Sequence, residues 1–326
     1  MSLPDAYVPV AITSRSGFDE SVHFGAMVGL RADGSVAFAV GNPTAAIYPR
    51  SSNKPMQALA MLRAGLDVSP TVLAVVCASH DGTAEHVAVV RDLLAAHGLS
   101  PDQLGNTPSY PLDEAAATAA KCAGEQRSAL FMNCSGKHAG MLATCVINGW
   151  SLDDYLDERH PLQEAITSTI DEVAGEEHAF IGIDGCGAPA HVLSLIGLAR
   201  SFRTIATGLA GPEGERVHSA MTSQPRLVGG LNRDVSLLMR DVPFLMAKDG
   251  ADGVYAAALP DGRALALKVA DGGDRARPPV FLAGLAKLLD IHRDVAQRVR
   301  VRASRRLDDG QVDLERGDPD ARRDPI

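Results

Sequence analysis

Apolar positions along this chain follow two rhythms, one near two residues and one near three and a half, and their order sets the expected architecture. Residues 7–13 and then 24–41 read as strands, the second a hairpin in which Asp33-Gly34 separates 26–30 from 36–40. After Asn42-Pro43 the rhythm changes. Met56, Leu59 and Leu62 recur on one helical face, Ser51 and Ser52 stand where a cap is needed, Pro55 falls in the tolerant first turn, and Gly65 closes the element. The run 72–78 is apolar throughout, so its rhythm leaves helix and strand open. Helical spacing returns with Val87, Val90, Leu93 and Leu94, in the alanine-rich stretch 113–123, from the Gly-containing turn after Met132 to about Asn148, and from Pro161 to Gly175.

Further on, 178–183 reads as a strand, 184–189 as a tight turn and 190–206 as a helix. Beyond the Gly/Pro-rich break at 208–214, residues 232–240 look helical. The stretches 244–248, 253–259 and 263–270 then read as antiparallel strands, the last two joined through Asp261-Gly262, and 278–290 is a closing helix. Strands at both ends with helices between them predict an α/β (α+β) fold, with an antiparallel sheet assembled from both termini, helices packed on it, and an inserted, mostly helical lobe. Residues 1–302 are expected to form one domain of two intimately packed lobes. Residues 303–326 are charged, poor in apolar side chains and expected to be disordered.

Composition narrows the partners. A net charge of −9 argues against a nucleic acid or an anionic membrane surface and leaves a small molecule as the simplest partner. Five scattered cysteines do not suggest a disulfide framework, and the chain shows neither a leader-like N-terminus nor an apolar run long enough to cross a bilayer, so the cytoplasm is the expected location.

The chemistry begins at Arg50-Ser-Ser-Asn-Lys-Pro55. Residues three apart share a helical face, so Lys54 is expected over Ser51, where a neutral amine can take a serine proton. Only six lysines occur against a background of arginine. Lysine can lose its proton in a protein and arginine cannot, so a lysine in a Ser/Gly-rich motif stands out. Ser79-His-Asp-Gly82 adds a second hydroxyl and Lys248-Asp-Gly250 a second amine. Their order along the chain parallels the signature of serine β-lactamases, although each alone is more often a plain turn. The turns at 79, 134 and 184 are also expected to hold open backbone N–H groups for a carboxylate or an oxyanion. Cys134 and His138 lie four apart and Cys186 occupies another turn, a spacing that admits an open zinc site, while buried small hydrophobes are the usual fate of free cysteines. Asp184 could receive an ammonium group and Arg50 a carboxylate, or both could be structural.

Taken together, Arg50–Pro55, Cys77-Ala-Ser-His80, Asn133-Cys-Ser-Gly-Lys-His138, Asp184-Gly-Cys186 and Lys248-Asp-Gly-Ala-Asp252 make the chain resemble the L-asparaginase II family, the Rhizobium etli type, over about residues 8 to 290. The resemblance implies a fold like serine β-lactamases and glutaminases, a homodimer, and hydrolysis of L-asparagine to aspartate and ammonia. It implies two serine–lysine pairs, Ser51 with Lys54 and Ser79 with Lys248. Arg50, His138 and Asp184 are expected to contact the substrate. It also implies zinc held by Cys134, Lys137 and Cys186, with Lys137 as a ligand where spacing alone favours His138. Relatives carry a further strand after residue 300, where this chain is short and charged. A glutaminase, a β-lactam or peptide hydrolase on the same scaffold, and a non-catalytic zinc-binding protein are the alternatives.

Overall fold

The computed structural model describes residues 3–289 and 311–313. The chain begins with a short helix α1 (Leu3–Ala6) and strands β1 (Val8–Arg15), β2 (Phe18–Leu30), β3 (Val36–Val40) and β4 (Ala46–Ile47). A 3-10 turn over Arg50–Asn53 leads into α2 (Lys54–Arg63), followed by α3 (Pro70–Val76), α4 (Ala84–Ala96), α5 (Glu114–Cys122), α6 (Ser135–Asn148) and α7 (Pro161–Ala174). Next come β5 (Phe180–Ile183), β6 (Pro189–Ser194), α8 (Leu195–Ala206), α9 (Pro212–Ser223), α10 (Pro225–Val228) and α11 (Asp234–Asp241). The chain closes with β7 (Met246–Gly250), β8 (Val254–Ala258), β9 (Ala264–Val269), α12 (Arg277–Leu289) and β10 (Gln311–Asp313).

The main sheet has the order β10-β1-β2-β9-β8-β7, and β3 joins β2 along its second half. Every pairing is antiparallel. It is the sheet built from both termini that the alternation of apolar residues predicts. β2 joins its halves, pairing β1 and then β3 on one edge and β9 on the other, so the first and last thirds of the chain share one ladder. The pattern of 7–13 and 24–41 underestimates β2, whose first residues are exposed and whose apolar alternation is therefore faint there. α8 and α12 pack on the sheet, and α2, α3, α4, α6, α7 and α9 form the helical lobe. A smaller sheet, β4-β6-β5, lies beside them.

Two other expectations differ from the structure, and one left open is settled. The stretch 190–206 is not one helix, because its first part is β6 and only Leu195 onward is helical, with the Ser194 side chain capping the turn. The stretch is apolar almost throughout, so its rhythm could not place the boundary. Residues 72–76, whose rhythm suits helix or strand equally, belong to α3, started by the Ser69 cap and Pro70. The tail expected to be disordered from 303 contributes β10, which pairs with β1, and the rest of 303–326 lies outside the described residues.

α2 is the helix on which the rest of the lobe packs. Lys54 to Leu62 are all buried, so it runs through the interior with core on every side instead of presenting the single face its spacing suggested. Ser51 and Ser52 do not cap it; the 3-10 turn precedes it and Asn53 is its N-cap, without a side-chain bond. The close crossing of α6 over α3 explains a glycine in the Asn133–His138 motif. A Cβ on Gly136 would stand 2.3 Å from the Val75 carbonyl oxygen, and one on Gly140 would press on Val76 and Met61. Among the described residues no helix is long and apolar enough to cross a membrane.

Gly136→Ala is therefore expected to cost about 1–3 kcal/mol by forcing α6 off α3. A thermal melt should show Tm falling by several degrees, and an unchanged Tm would contradict this packing.

Candidate active site

A cavity of about 1130 Å³ opens where the helical lobe meets the end of β7. Ser51 and Ser79 both line it, as do Asn133, Arg233, Asp249 and Gly250. The 3-10 turn delivers Ser51, the segment after α3 delivers Ser79, and β7 supplies Asp249. Gly250 is needed at this approach, since a Cβ there would meet the Pro49 carbonyl at 2.5 Å and Ser52 Oγ at 3.0 Å. Ser52 Oγ donates to the Lys248 carbonyl oxygen at 3.0 Å, tying the serine turn to the strand.

Among the described contacts Lys54 makes no hydrogen bond to Ser51. Its Nζ donates to the Ala78 carbonyl at 2.5 Å, Ser79 Oγ at 3.1 Å and the Asn133 carbonyl at 3.3 Å. The reason is burial: the residue is 2% exposed, and an amine there must find acceptors, which two converging main-chain carbonyls supply. Nζ is the donor in all three contacts. Ser51 stays half-buried at the cavity wall.

Lys248 is not paired with Ser79 either. Its Nζ donates to Asp249 Oδ1 at 2.6 Å and to the Asp249 carbonyl at 2.8 Å. Burial pushes its amine down to about 8, with Asp249 opposing that shift. Burial would raise the Asp249 carboxyl, but Lys248, Arg233 and Arg277 together hold it well below the usual range. Arg233 bridges Asp249 and Asp81, at 3.3 Å from the latter. None of Asp81, Arg233 and Asp249 was singled out by the sequence. Aspartate and arginine are common, and these three meet only in the fold.

The turn amides expected to stay open are largely used inside the protein. Ser79 N–H donates to the Val228 carbonyl and His80 N–H to the Asn133 carbonyl, while Gly185 N–H donates to Asp184 Oδ1. His80 Nδ1 accepts from Gly82 N–H, which fixes the tautomer and lets Nε2–H donate to Ser135 Oγ at 2.9 Å. The Ser79 turn is thereby fastened to the start of α6.

Arg50 and Asp184 are bound to each other, at 2.9 Å, with Arg50 also holding Asp252. Arg50 takes a left-handed φ of 52° just before Ser51, a conformation that costs a non-glycine residue free energy and fixes where the serine turn begins. His138 does not reach the cavity. It is fully buried, its Nδ1 bonded to Tyr155 Oη at 2.7 Å, so it does not stand where a direct substrate contact was expected.

The cysteine cluster lies behind Asn133. Cys134 and Cys186 pack together with Ala188, and Lys137 Nζ donates to Cys186 Sγ at 3.2 Å. Cys134 Sγ donates to Asn133 Oδ1 at 3.0 Å, its neighbour Cys186 keeps the Cys134 thiol well above its usual range, and Cys134 first, then Lys137, draws Cys186 far below it. His138 Nε2 is buried beside Cys186 without a hydrogen bond. Among the described residues no three His, Cys, Asp or Glu side chains converge as a metal cluster, so the trio Cys134, His138 and Cys186 is not formed. Counting the amine changes the picture. The Cys134 and Cys186 sulfurs and Lys137 Nζ gather with an orphaned imidazole nitrogen beside them, a donor set that suits zinc.

No curated protein matches the chain. The crystal structure of a protein described as Mglu is similar, at 14% identity and a TM-score of 0.44, covering 90% of this chain and 68% of that one. Its native form is also 14% identical with a TM-score of 0.44, over 82% of this chain and 65% of that one. This chain thus spans about two thirds of the length of those chains. A β-lactamase from Mycobacterium bovis is 14% identical with a TM-score of 0.38, over 81% of this chain and 94% of that one. The model of the L-asparaginase II family matches residues 11–314, nearly the whole chain. With its antiparallel sheet from both termini and its paired serines on one cavity, the chain belongs to the L-asparaginase II family, a family of amidohydrolases.

Proposed function

We propose that this chain hydrolyses L-asparagine to L-aspartate and ammonia through an acyl-serine intermediate. One observation carries the reading: the buried Lys54 amine is held by two carbonyls with its third direction on the Ser79 hydroxyl. Lys54 takes the Ser79 proton as the oxygen attacks the side-chain carboxamide carbon. The same proton then passes to the departing nitrogen, the C–N bond breaks and ammonia leaves. Water, deprotonated in turn by Lys54, releases aspartate and returns the serine. Family membership supports the substrate, and glutamine or a β-lactam is the competing choice on such a scaffold.

A second order of events rests on Ser51, which lines the same cavity and is half-buried where Ser79 is 6% exposed. Here Ser51 is the nucleophile, the role its spacing from Lys54 suggests, and Ser79 relays its proton to Lys54. Both orders use the same base. Arg50 and Asp184 would hold the substrate's carboxylate and ammonium ends, since a zwitterion brings the two charges needed to exchange one ion pair for two. Cys134, Lys137 and Cys186 would hold a zinc ion. When bound, the ion would fix the turns at 134 and 186 and supply a positive charge near the substrate. For Lys137 to act as a ligand its amine must give up its proton. The homodimer belongs to the same reading and would appear in light scattering as twice the mass of the chain.

Ammonia release from asparagine, with glutamine and a chromogenic β-lactam alongside, tests the reaction. Ser79→Ala is expected to cut turnover at least about 10³-fold, as loss of a catalytic serine does. Trapping the acyl-enzyme with a slow amide and mapping it by peptide mass spectrometry separates the two orders. A label on Ser79 supports the first and one on Ser51 the second, while full turnover by both Ser79→Ala and Ser51→Ala would refute acyl transfer. Metal analysis should find one zinc per chain, lost in the Cys134→Ser/Cys186→Ser double variant. Zinc retained by that variant would place the metal elsewhere.

A further inference from the structure

The end of β7 touches both serine-bearing segments. On one side the Lys248 carbonyl accepts from Ser52, the neighbour of Ser51. On the other, Asp249 is bound to Arg233, and Arg233 to Asp81, two residues beyond Ser79. Between them Lys248, fully buried, gives both of its described hydrogen bonds to Asp249. The loop carrying Arg233 can close on Asp81 only because residue 230 has no side chain, for a Cβ there would fall 1.8 Å from Asp81 Oδ2.

We propose that Asp249, fixed by the Arg233 bridge to Asp81, is a positioning residue that keeps Lys248 as an oriented ammonium behind the serine wall of the cavity. This rests on the acyl-transfer reaction proposed for the chain. It gives Lys248 a different task from the base role its serine–lysine motif suggests: a fixed positive charge toward which negative charge develops on the attacked carbonyl. Such a charge is wanted here, because the amides of the Ser79 turn that could have served are used on Val228 and Asn133.

The surroundings carry both signs. Asp81, Asp234, Asp249 and Asp274 stand against Arg233, Lys248 and Arg277, with Arg277 donating to the Gly250 carbonyl at 2.9 Å and lying 3.1 Å from Asp274 and 3.9 Å from Asp234. Lys54 from α2 and Cys77 after α3 complete the titratable groups facing Lys248, and burial pushes the Cys77 thiol up to about 12, leaving it neutral. Burial first, then Lys54 and Arg233, lower the Lys248 amine, and Asp249 opposes them, giving about 8. The ammonium therefore prevails at neutral pH and is lost as pH rises through that value.

The test uses two variants of the full chain whose effects have opposite signs. Removing the carboxylate in Asp249→Asn withdraws the group that favours the ammonium, and removing the guanidinium in Arg233→Gln withdraws a group that opposes it. In the pH profile of kcat, the wild-type alkaline limb is expected near the Lys248 value of about 8. Asp249→Asn should move it down by roughly one pH unit or more, Arg233→Gln should move it up, and Asp249→Glu should bring it back toward wild type. A merely structural role would lower turnover without moving the limb. In parallel, titration of the lysine ε-carbons by 13C NMR, with the Lys248 signal assigned from Lys248→Arg, reads the same shifts without turnover. If wild-type protein releases no ammonia from any amide, the proposed reaction fails, and the NMR titration still decides the role of Asp249. If Asp249→Asn does not fold, the upward shift in Arg233→Gln and the return in Asp249→Glu carry the test. A limb and a Lys248 titration that stay put in the folded variants, or move the same way in both, would overturn the proposal.

Discussion

A lysine amine buried at the start of a central helix has to be paid for in hydrogen bonds, and the site is built around how that requirement is met. Lys54 is 2% exposed and begins a helix with core on every side. Buried as it is, its nitrogen draws together the Ala78 carbonyl, the Asn133 carbonyl and the Ser79 hydroxyl. Three chain segments are thereby brought to one point: the start of α2, the end of α3 and the turn before α6. A similar logic governs the second lysine. Lys248 is buried at the end of β7, and its need for a counter-charge organises Asp249, Arg233 and Asp81. Two amines of one residue type thus occupy different electrostatic settings, one among neutral acceptors and one against a carboxylate. That difference underlies the different work proposed for them.

The scaffold supports this by bringing distant residues to one cavity. Asp81 and Arg233 are 152 positions apart and Ser52 and Lys248 are 196 apart, yet both pairs are in contact. The antiparallel sheet joins the two ends of the chain, with β7 at its edge, while α8 and α12 lie on it and the helical lobe carries the serines. Glycines at 136, 230 and 250 sit where the segments approach too closely for a Cβ. They serve packing around the site, and at Gly136 this explains a glycine inside a turn expected to hold open N–H groups.

Much of this was legible in the sequence, and the failures have identifiable causes. Turn chemistry placed Asp33-Gly34 and Asp261-Gly262, and apolar spacing placed α2, α6 and α7, because those signals are local. β6 was lost inside an apolar run that suits either element. α9 and α10 were missed because they follow a Gly/Pro-rich break and carry Glu and Arg on an exposed face. In the site, serine and lysine stood out by rarity and motif, but the partner of each lysine did not. Helical spacing puts Lys54 over Ser51, whereas its hydrogen bonds go to Ala78, Ser79 and Asn133, residues distant in sequence that spacing could not name. The pairing of Lys248 with Asp249, its chain neighbour, was visible in the sequence but masked by expecting a serine partner. Arg50 and Asp184 were read as two separate substrate contacts, and the fold joins them into one ion pair.

The base assignment of Lys54 is tested most directly by replacing its amine with an uncharged side chain of similar length. Turnover of amides by Lys54→Met, measured beside a thermal melt that confirms folding, is expected to fall at least about 10³-fold. A folded Lys54→Met that turns over within tenfold of the unaltered chain would contradict the account.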